Sequence, residues 1–196
     1  METQLFVSGI FRKKVEGLYV YLDNDFLSAL FKDEELLKQV NDVLSGGNLL
    51  IDPFTKFEFL RGTYIPKEVK TSKDFIEQPG FITAPNRQEI FLKIQENALL
   101  LSTIYSHKNI SKKKNSGGLS IVDLFLAGRL MLNWSKTVLI TGNKKDFPRC
   151  VFDVLGVINF EQEGDGSMRV YSLVQFSKEK FESCYGELKK IEKVKD

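Results

Sequence analysis

Asp23, Glu58 and Asp123 each interrupt a pattern that is otherwise apolar. Asp23 ends the run Leu18-Tyr19-Val20-Tyr21-Leu22. Glu58 lies among Phe54, Phe57 and Phe59. Asp123 sits early in the apolar stretch SIVDLFLAG. A bare carboxylate near a core is costly unless it is paired, hydrogen-bonded or metal-bound. Several together repel one another, and a hard divalent cation with oxygen ligands relieves that repulsion. The chain has one histidine, His107, and two cysteines, Cys150 and Cys184, with no CxxC. Histidine-based triads, His-rich metal sites and thiolate zinc sites therefore have almost no material, and any chemistry must rest on carboxylates. Each acid also has a structural explanation. Asp25 can cap the helix after it, Glu58 can point at water or complete a capping pattern with Thr55, and Asp123 stands three residues after Ser120 in a capping arrangement.

The elements that would position these acids follow from the apolar pattern. Residues 18–22 fit a strand buried on both faces, as in a parallel sheet, and Asp23-Asn24-Asp25 breaks it before a short helix at 26–31. Open α/β sheets place their ligands at the carboxyl ends of such strands, which is where Asp23 falls. Residues 33–44 repeat at helical spacing, with Asp33 as N-cap and Gly46-Gly47 as the stop. Residues 48–51 read as a second strand, and Asp52-Pro53 starts a helix that carries Glu58 and closes near Gly62.

Residues 63–84 are polar, with Pro66 and Pro79, and read as a long loop or irregular insertion, with a flap or a further helix within it as the alternatives. A helix of about five turns follows, capped by Asn86 and Glu89. Residues 120–133 form a buried helix, 137–141 a third buried strand, and 154–161 and 169–176 two strands joined by a glycine-containing turn at 163–167. A charged helix occupies 178–194. The first fifteen residues are unassigned beyond an edge strand. Strands alternating with helices predict an α/β fold with a mainly parallel sheet.

The 196 residues suit a single domain spanning 1–196, with a motif-bearing core at 18–147 and a C-terminal extension at 154–194. Apolar and charged contents of 42% and 28% are ordinary for a soluble protein, and a net charge of +2 decides nothing about nucleic acid. Local lysines carry that question: Lys112, Lys113 and Lys114, then Lys144, Lys145 and Arg149, are candidates for holding phosphates, and a solvated loop is the equal alternative. The N-terminus lacks the apolar core of a signal peptide, no run is long enough to span a bilayer, and the cysteine usage fits a reducing, cytoplasmic setting.

The segments YLDNDFLSAL, FEFLRG, SIVDLFLAG and LITGNKKDF, in that order, resemble the four motifs of PIN-domain nucleases, and the bacterial toxin ribonucleases of the VapC type are the closest pattern. The resemblance covers roughly residues 18–147. It implies a three-layer α/β/α sandwich with a mainly parallel sheet, to which the C-terminal hairpin and helix are additions. It also implies acidic residues that bind Mg²⁺ or Mn²⁺ and cut single-stranded RNA. Asp23, Glu58 and Asp123 take the places of the first three acids. Many members carry an aspartate two residues after the strand-ending threonine, here Thr141. That position is Asn143 in this chain, and Asp146 stands three residues further on. The implied catalytic acids are thus Asp23, Glu58, Asp123 and Asp146. The implied metal set is Asp23, Asp123, Asn143 and Asp146, with Thr141 orienting a carboxylate or water near the substrate. The resemblance further implies an RNA substrate, a cognate antitoxin and a homodimer.

Two other readings compete. A haloacid-dehalogenase-like phosphatase also opens on a strand followed by Asp-x-Asp, which Asp23 and Asp25 satisfy, but it leaves Glu58 and Asp123 unexplained. A non-catalytic RNA- or protein-binding module on the same fold is the other, with Asn143 in its favour.

Overall fold

The computed structural model describes residues 5–7, 11–62, 65–107, 120–161 and 167–195. In chain order its elements are β1 (Leu5–Val7), α1 (Phe11–Val15), β2 (Tyr19–Leu22), α2 (Asn24–Lys32), α3 (Glu34–Val43), β3 (Asn48–Ile51), α4 (Pro53–Arg61) and α5 (Pro66–Ile76). They continue as β4 (Phe81–Thr83), α6 (Gln88–His107), α7 (Ile121–Leu132), β5 (Thr137–Thr141), β6 (Phe152–Glu161), β7 (Met168–Phe176) and α8 (Lys178–Lys195). The strands form one sheet of order β1-β6-β7-β5-β2-β3-β4.

The sheet is mixed, which corrects the expectation of a mainly parallel one. The pairs β2–β3, β2–β5 and β3–β4 are parallel, whereas β5–β7, β6–β7 and β1–β6 are antiparallel. The physical reason lies in the connections. Helices α2 and α3 carry the chain from β2 to β3 in the same direction, as a parallel crossover requires. The hairpin of β6 and β7 instead returns directly and lays β7 against β5, with Leu139 opposite Val174. Strand β1 then pairs with β6, more than half the chain away, as an edge strand.

Residues on the central strands alternate between two cores. Val20, Leu22, Leu49, Ile51, Val138 and Ile140 face one, with side chains from α2, α3 and α4. Tyr21, Leu50 and Leu139 face the other, with side chains from α6, α7 and α8. Burial on both faces explains the unbroken apolar runs, and the arrangement is compatible with an α/β/α sandwich.

Residues 66–76 are a helix rather than an irregular insertion. Pro66 occupies its first turn, where the missing N–H costs nothing. Its apolar seam is short, and it docks through Phe75, whose ring lies 5.2 Å from Phe31, 6.0 Å from Phe59 and 5.4 Å from Phe81. On the opposite face α6 and α7 approach closely at Gly128. A Cβ there would lie 2.5 Å from the Ile94 carbonyl oxygen, so only glycine fits the crossing. Asn97 Nδ2 donates to the Gly128 carbonyl at 3.0 Å and fixes the register of the two helices. Among the described residues no helix is long and apolar enough to cross a membrane.

Candidate functional site

The chain leaves β2, passes to β3 on one side, and later returns to place β5 on the other. The carboxyl ends of β2 and β5 therefore flank a topological switch point, where neighbouring connections diverge and leave a crevice. Leu22 pairs with Ile140, and the Asp23 amide donates to the Ile140 carbonyl at 3.0 Å, so Asp23 and Thr141 emerge side by side. Asp23 is the N-cap of α2, with its Oδ1 accepting from the Asn24 amide at 2.8 Å. Its Oδ2 accepts from the Thr141 hydroxyl at 2.6 Å, and that hydroxyl accepts from the Asn143 amide at 2.9 Å. Both Asp23 and Thr141 are buried.

The other acids arrive on separate elements. Ser120 caps α7 by accepting from the Val122 amide at 3.2 Å, which starts the helix so that Asp123 stands in its first turn. Asp52 caps α4 by accepting from the Phe54 amide at 2.8 Å, and Glu58 follows in mid-helix. The loop after β5 is anchored by the buried Phe147, and this holds Asp146 beside α7. Asp146 hydrogen-bonds the Asp123 carboxyl and accepts from Asn143 Nδ2.

The electrostatics register this convergence. Burial raises Asp23 above the usual carboxylate range; the bonds from Thr141 and Asn24 oppose the rise, and Asp146 adds to it. Asp123 is pushed up to about 8, first by desolvation and then by the charges of Asp23 and Asp146, with Glu58 also contributing. Glu58 is raised by desolvation and by Asp23, against the pull of Arg61. Asp146 is raised by desolvation and held down by its bond with Asp123 and by Lys145. Beneath them lies Tyr105, buried, its hydroxyl pushed up by desolvation and by the charges of Cys150, Asp146 and Asp123.

Asp25, read from the sequence as a simple helix cap, has another role. Asp23 caps α2, while Asp25 reaches across to the end of β5, its Oδ2 accepting from the Gly142 amide at 2.9 Å. A Cβ at Gly142 would come too close to that oxygen, so a side chain there would displace the Asp25 carboxyl. Asp25 is exposed at the lip, yet its carboxyl, partly shielded there and close to Asp23, is pushed up to about 7. The signal was present as a second acid two residues after Asp23, but its partner Gly142 is distant in sequence.

Arg129 was also missed. It forms a buried ion pair with Asp52, donates to the Pro85 carbonyl at 3.0 Å and lies 5.9 Å from the Tyr21 ring. It thereby ties α7, which carries Asp123, to the start of α4, which carries Glu58. A lone arginine in the apolar run AGRLML was the available sign.

Lys144 and Lys145 are exposed on the loop after β5, as is Arg149. Lys112, Lys113 and Lys114 lie outside the described residues, as does most of the turn at 163–167. Among the described residues no three His, Cys, Asp or Glu side chains are gathered as a ready-made metal cage. The fit to a cation rests on the donor chemistry: an all-oxygen set in which Asp23, Asp146 and Glu58 raise the proton affinity of Asp123 suits a hard divalent ion. Compared with known proteins, the chain matches no family model, no curated protein and no solved structure.

Proposed function

We propose that this chain is a Mg²⁺- or Mn²⁺-dependent endoribonuclease of PIN-like fold that hydrolyses phosphodiester bonds in single-stranded RNA. The observation that carries the reading is the mutual influence of acids from four separate segments at the switch-point edge: Asp23, Asp146 and Glu58 raise the proton affinity of Asp123, Asp23 raises that of Glu58, and Asp146 raises that of Asp23. Asp23, Asp123 and Asp146 would hold the ion, with the Asn143 side chain adding a carbonyl oxygen. A divalent cation there supplies an acidified water and charge neutralisation at the phosphoryl oxygens.

The chain's own groups do the rest. Thr141 fixes the Asp23 carboxylate by donating to Oδ2 while its own oxygen is held by the Asn143 amide. Glu58, partly open to solvent and above the ordinary carboxylate range, accepts the proton of the attacking water, with Asp123 as the alternative acceptor. Lys144 is exposed on the loop between Asn143 and Asp146, where it can meet a phosphate. A toxin held in check by an antitoxin is the biological setting this reading suggests, in a cytoplasmic compartment.

The test is cleavage of a labelled single-stranded RNA with each metal and after chelation. Asp23→Asn is expected to lower kcat by about a hundredfold or more, the scale of losing a group that stabilises the transition state, with the fold intact by circular dichroism. Full cleavage by the folded variant would remove Asp23 from the mechanism.

A further inference from the structure

Beside Asp25 lies a groove of about 660 Å³ that shares Asn143 and Lys144 with the proposed metal site and otherwise lies outside it. One wall is α2, where Asp25, Ser28, Ala29 and Lys32 fall at i, i+3, i+4 and i+7 and so share a face. The floor is the loop after β5, and the opposite wall is the start of β7. That strand belongs to the C-terminal hairpin, outside the segment that carries the acids.

The chemistry of the groove is two-sided. Lys32, Lys144, Lys145 and Arg169 line it against two carboxylates, Asp25 and Asp33. On β7, Arg169 and Tyr171 project to the α2 side, and Met168 and Val170, each 51% exposed, border the groove from the alternate positions of the strand. Exposed apolar side chains thus lie beside a cationic rim. Single-stranded nucleic acid has the matching pattern, with phosphates for the cations and base faces for the apolar wall. A duplex does not, because its bases are stacked inward.

We infer that this groove seats the RNA strand beside the scissile phosphate, with β7 as the wall against which unstacked bases lie. The inference rests on the ribonuclease reading and deepens it. Asp25 and Gly142 form the sill between groove and acid cluster, so a strand lying in the groove delivers its next phosphate to Asp23 and Asp146. The hairpin that makes the sheet mixed thereby becomes a substrate-binding element.

The test measures binding of a short labelled oligouridylate by anisotropy, with chelator present so that no cleavage occurs, over a range of salt. In Lys32→Ala/Lys144→Ala the slope of log affinity against log salt should fall by about 1.4, at about 0.7 for each single-strand phosphate that a lysine no longer neutralises. Val170→Asp, at an exposed position, should weaken binding severalfold while thermal melting confirms the fold. A wild-type slope in the double variant, wild-type affinity in folded Val170→Asp, or no binding by the parent chain at low salt overturns the inference. Cleavage of the same oligonucleotide by the parent chain with Mn²⁺ separates the two claims. Groove-dependent binding without cleavage by Mg²⁺ or Mn²⁺ removes the ribonuclease reading and keeps the groove. Cleavage with an unaltered slope does the reverse.

Discussion

The molecule buries carboxylates in two places; burial raises the proton affinity at both, but the compensation differs. Asp52 sits at the start of α4 with side-chain exposure of 2%, and Arg129, at 3%, forms an ion pair with it. Asp23, Asp123 and Asp146 sit at the neighbouring edge of the same sheet, where their closest electrostatic partners are one another. The nearby cations act only at the margins: Lys145 on Asp146 and Arg61 on Glu58, both exposed. The desolvation problem is the same in both places. Inside, the chain supplies the compensating charge. At the edge, compensation comes from protons, which a cation could replace.

Removing the internal cation should give the largest effect. Arg129→Met leaves Asp52 buried and unpaired, and the cost of breaking such a pair is about 3–5 kcal/mol. Urea denaturation of the metal-free protein measures it. A loss below about 1 kcal/mol would show that the two carboxylate sites are less different than their geometry indicates.

The acid edge should respond to pH in the opposite sense from an ordinary salt-bridged carboxylate. Asp123 is raised from 3.8 to about 8 and Asp25 from 3.8 to about 7. Between these limits the folded chain keeps protons that the unfolded chain has released. The contribution to stability is therefore fully present below about pH 4 and is lost as pH rises through 7 to 8. Melting temperature of the chelated protein should fall across that window. Saturating Mn²⁺ should raise it most at the alkaline end, where the carboxylates are free of protons. A melting temperature that rises steadily with pH in chelator would contradict the crowding of these acids.

Replacing one of the crowded acids should have the reverse sign from replacing Arg129. Asp123→Asn removes a charge that Asp23 and Asp146 oppose, so the metal-free protein should be unchanged or stabilised by about 1 kcal/mol at pH 8. Below about pH 4, where Asp123 is protonated in the folded and the unfolded chain alike, the two proteins should melt together. Loss of the Mn²⁺-induced rise in melting temperature is the companion expectation.

The difference between the two sites was partly legible in the sequence, and the reasons are local. Buried strands announce themselves by unbroken apolar runs, so YVYL, NLLI and TVLIT gave the strand ends, and with them Asp23 and Thr141. Caps such as Asp33, Asp52 and Ser120 act over three residues and were visible for that reason. Helix α5 was not, because PKEVKTSKDFI holds too few apolar residues to show a period, and aromatic contacts from three other elements fix it. The mixed sheet was hidden because β7 could be read as half of a hairpin but not as the neighbour of β5. Arg129 and Asp25 depend on partners remote in the chain, Asp52 and Gly142, and local pattern carries no such information.

The finest expected distinction concerns how Asp23 is held. Thr141 donates to its Oδ2, and hydrogen bonds to the ionised form favour that form. Thr141→Val keeps the volume and removes the donor, so the Asp23 carboxyl should rise further and compete less well for a cation. One hydrogen bond of this kind is worth about 1 kcal/mol, or roughly fivefold in affinity. Calorimetric titration with Mn²⁺ near pH 7 should show that weakening, and the gap should narrow at higher pH as proton competition fades. Arg129 cannot be mimicked this way, since its pairing with Asp52 leaves no role for an added ion. If Thr141→Val binds Mn²⁺ as the parent does at every pH, proton and cation are not competing for Asp23, and the contrast between the two carboxylate sites must be explained by packing alone.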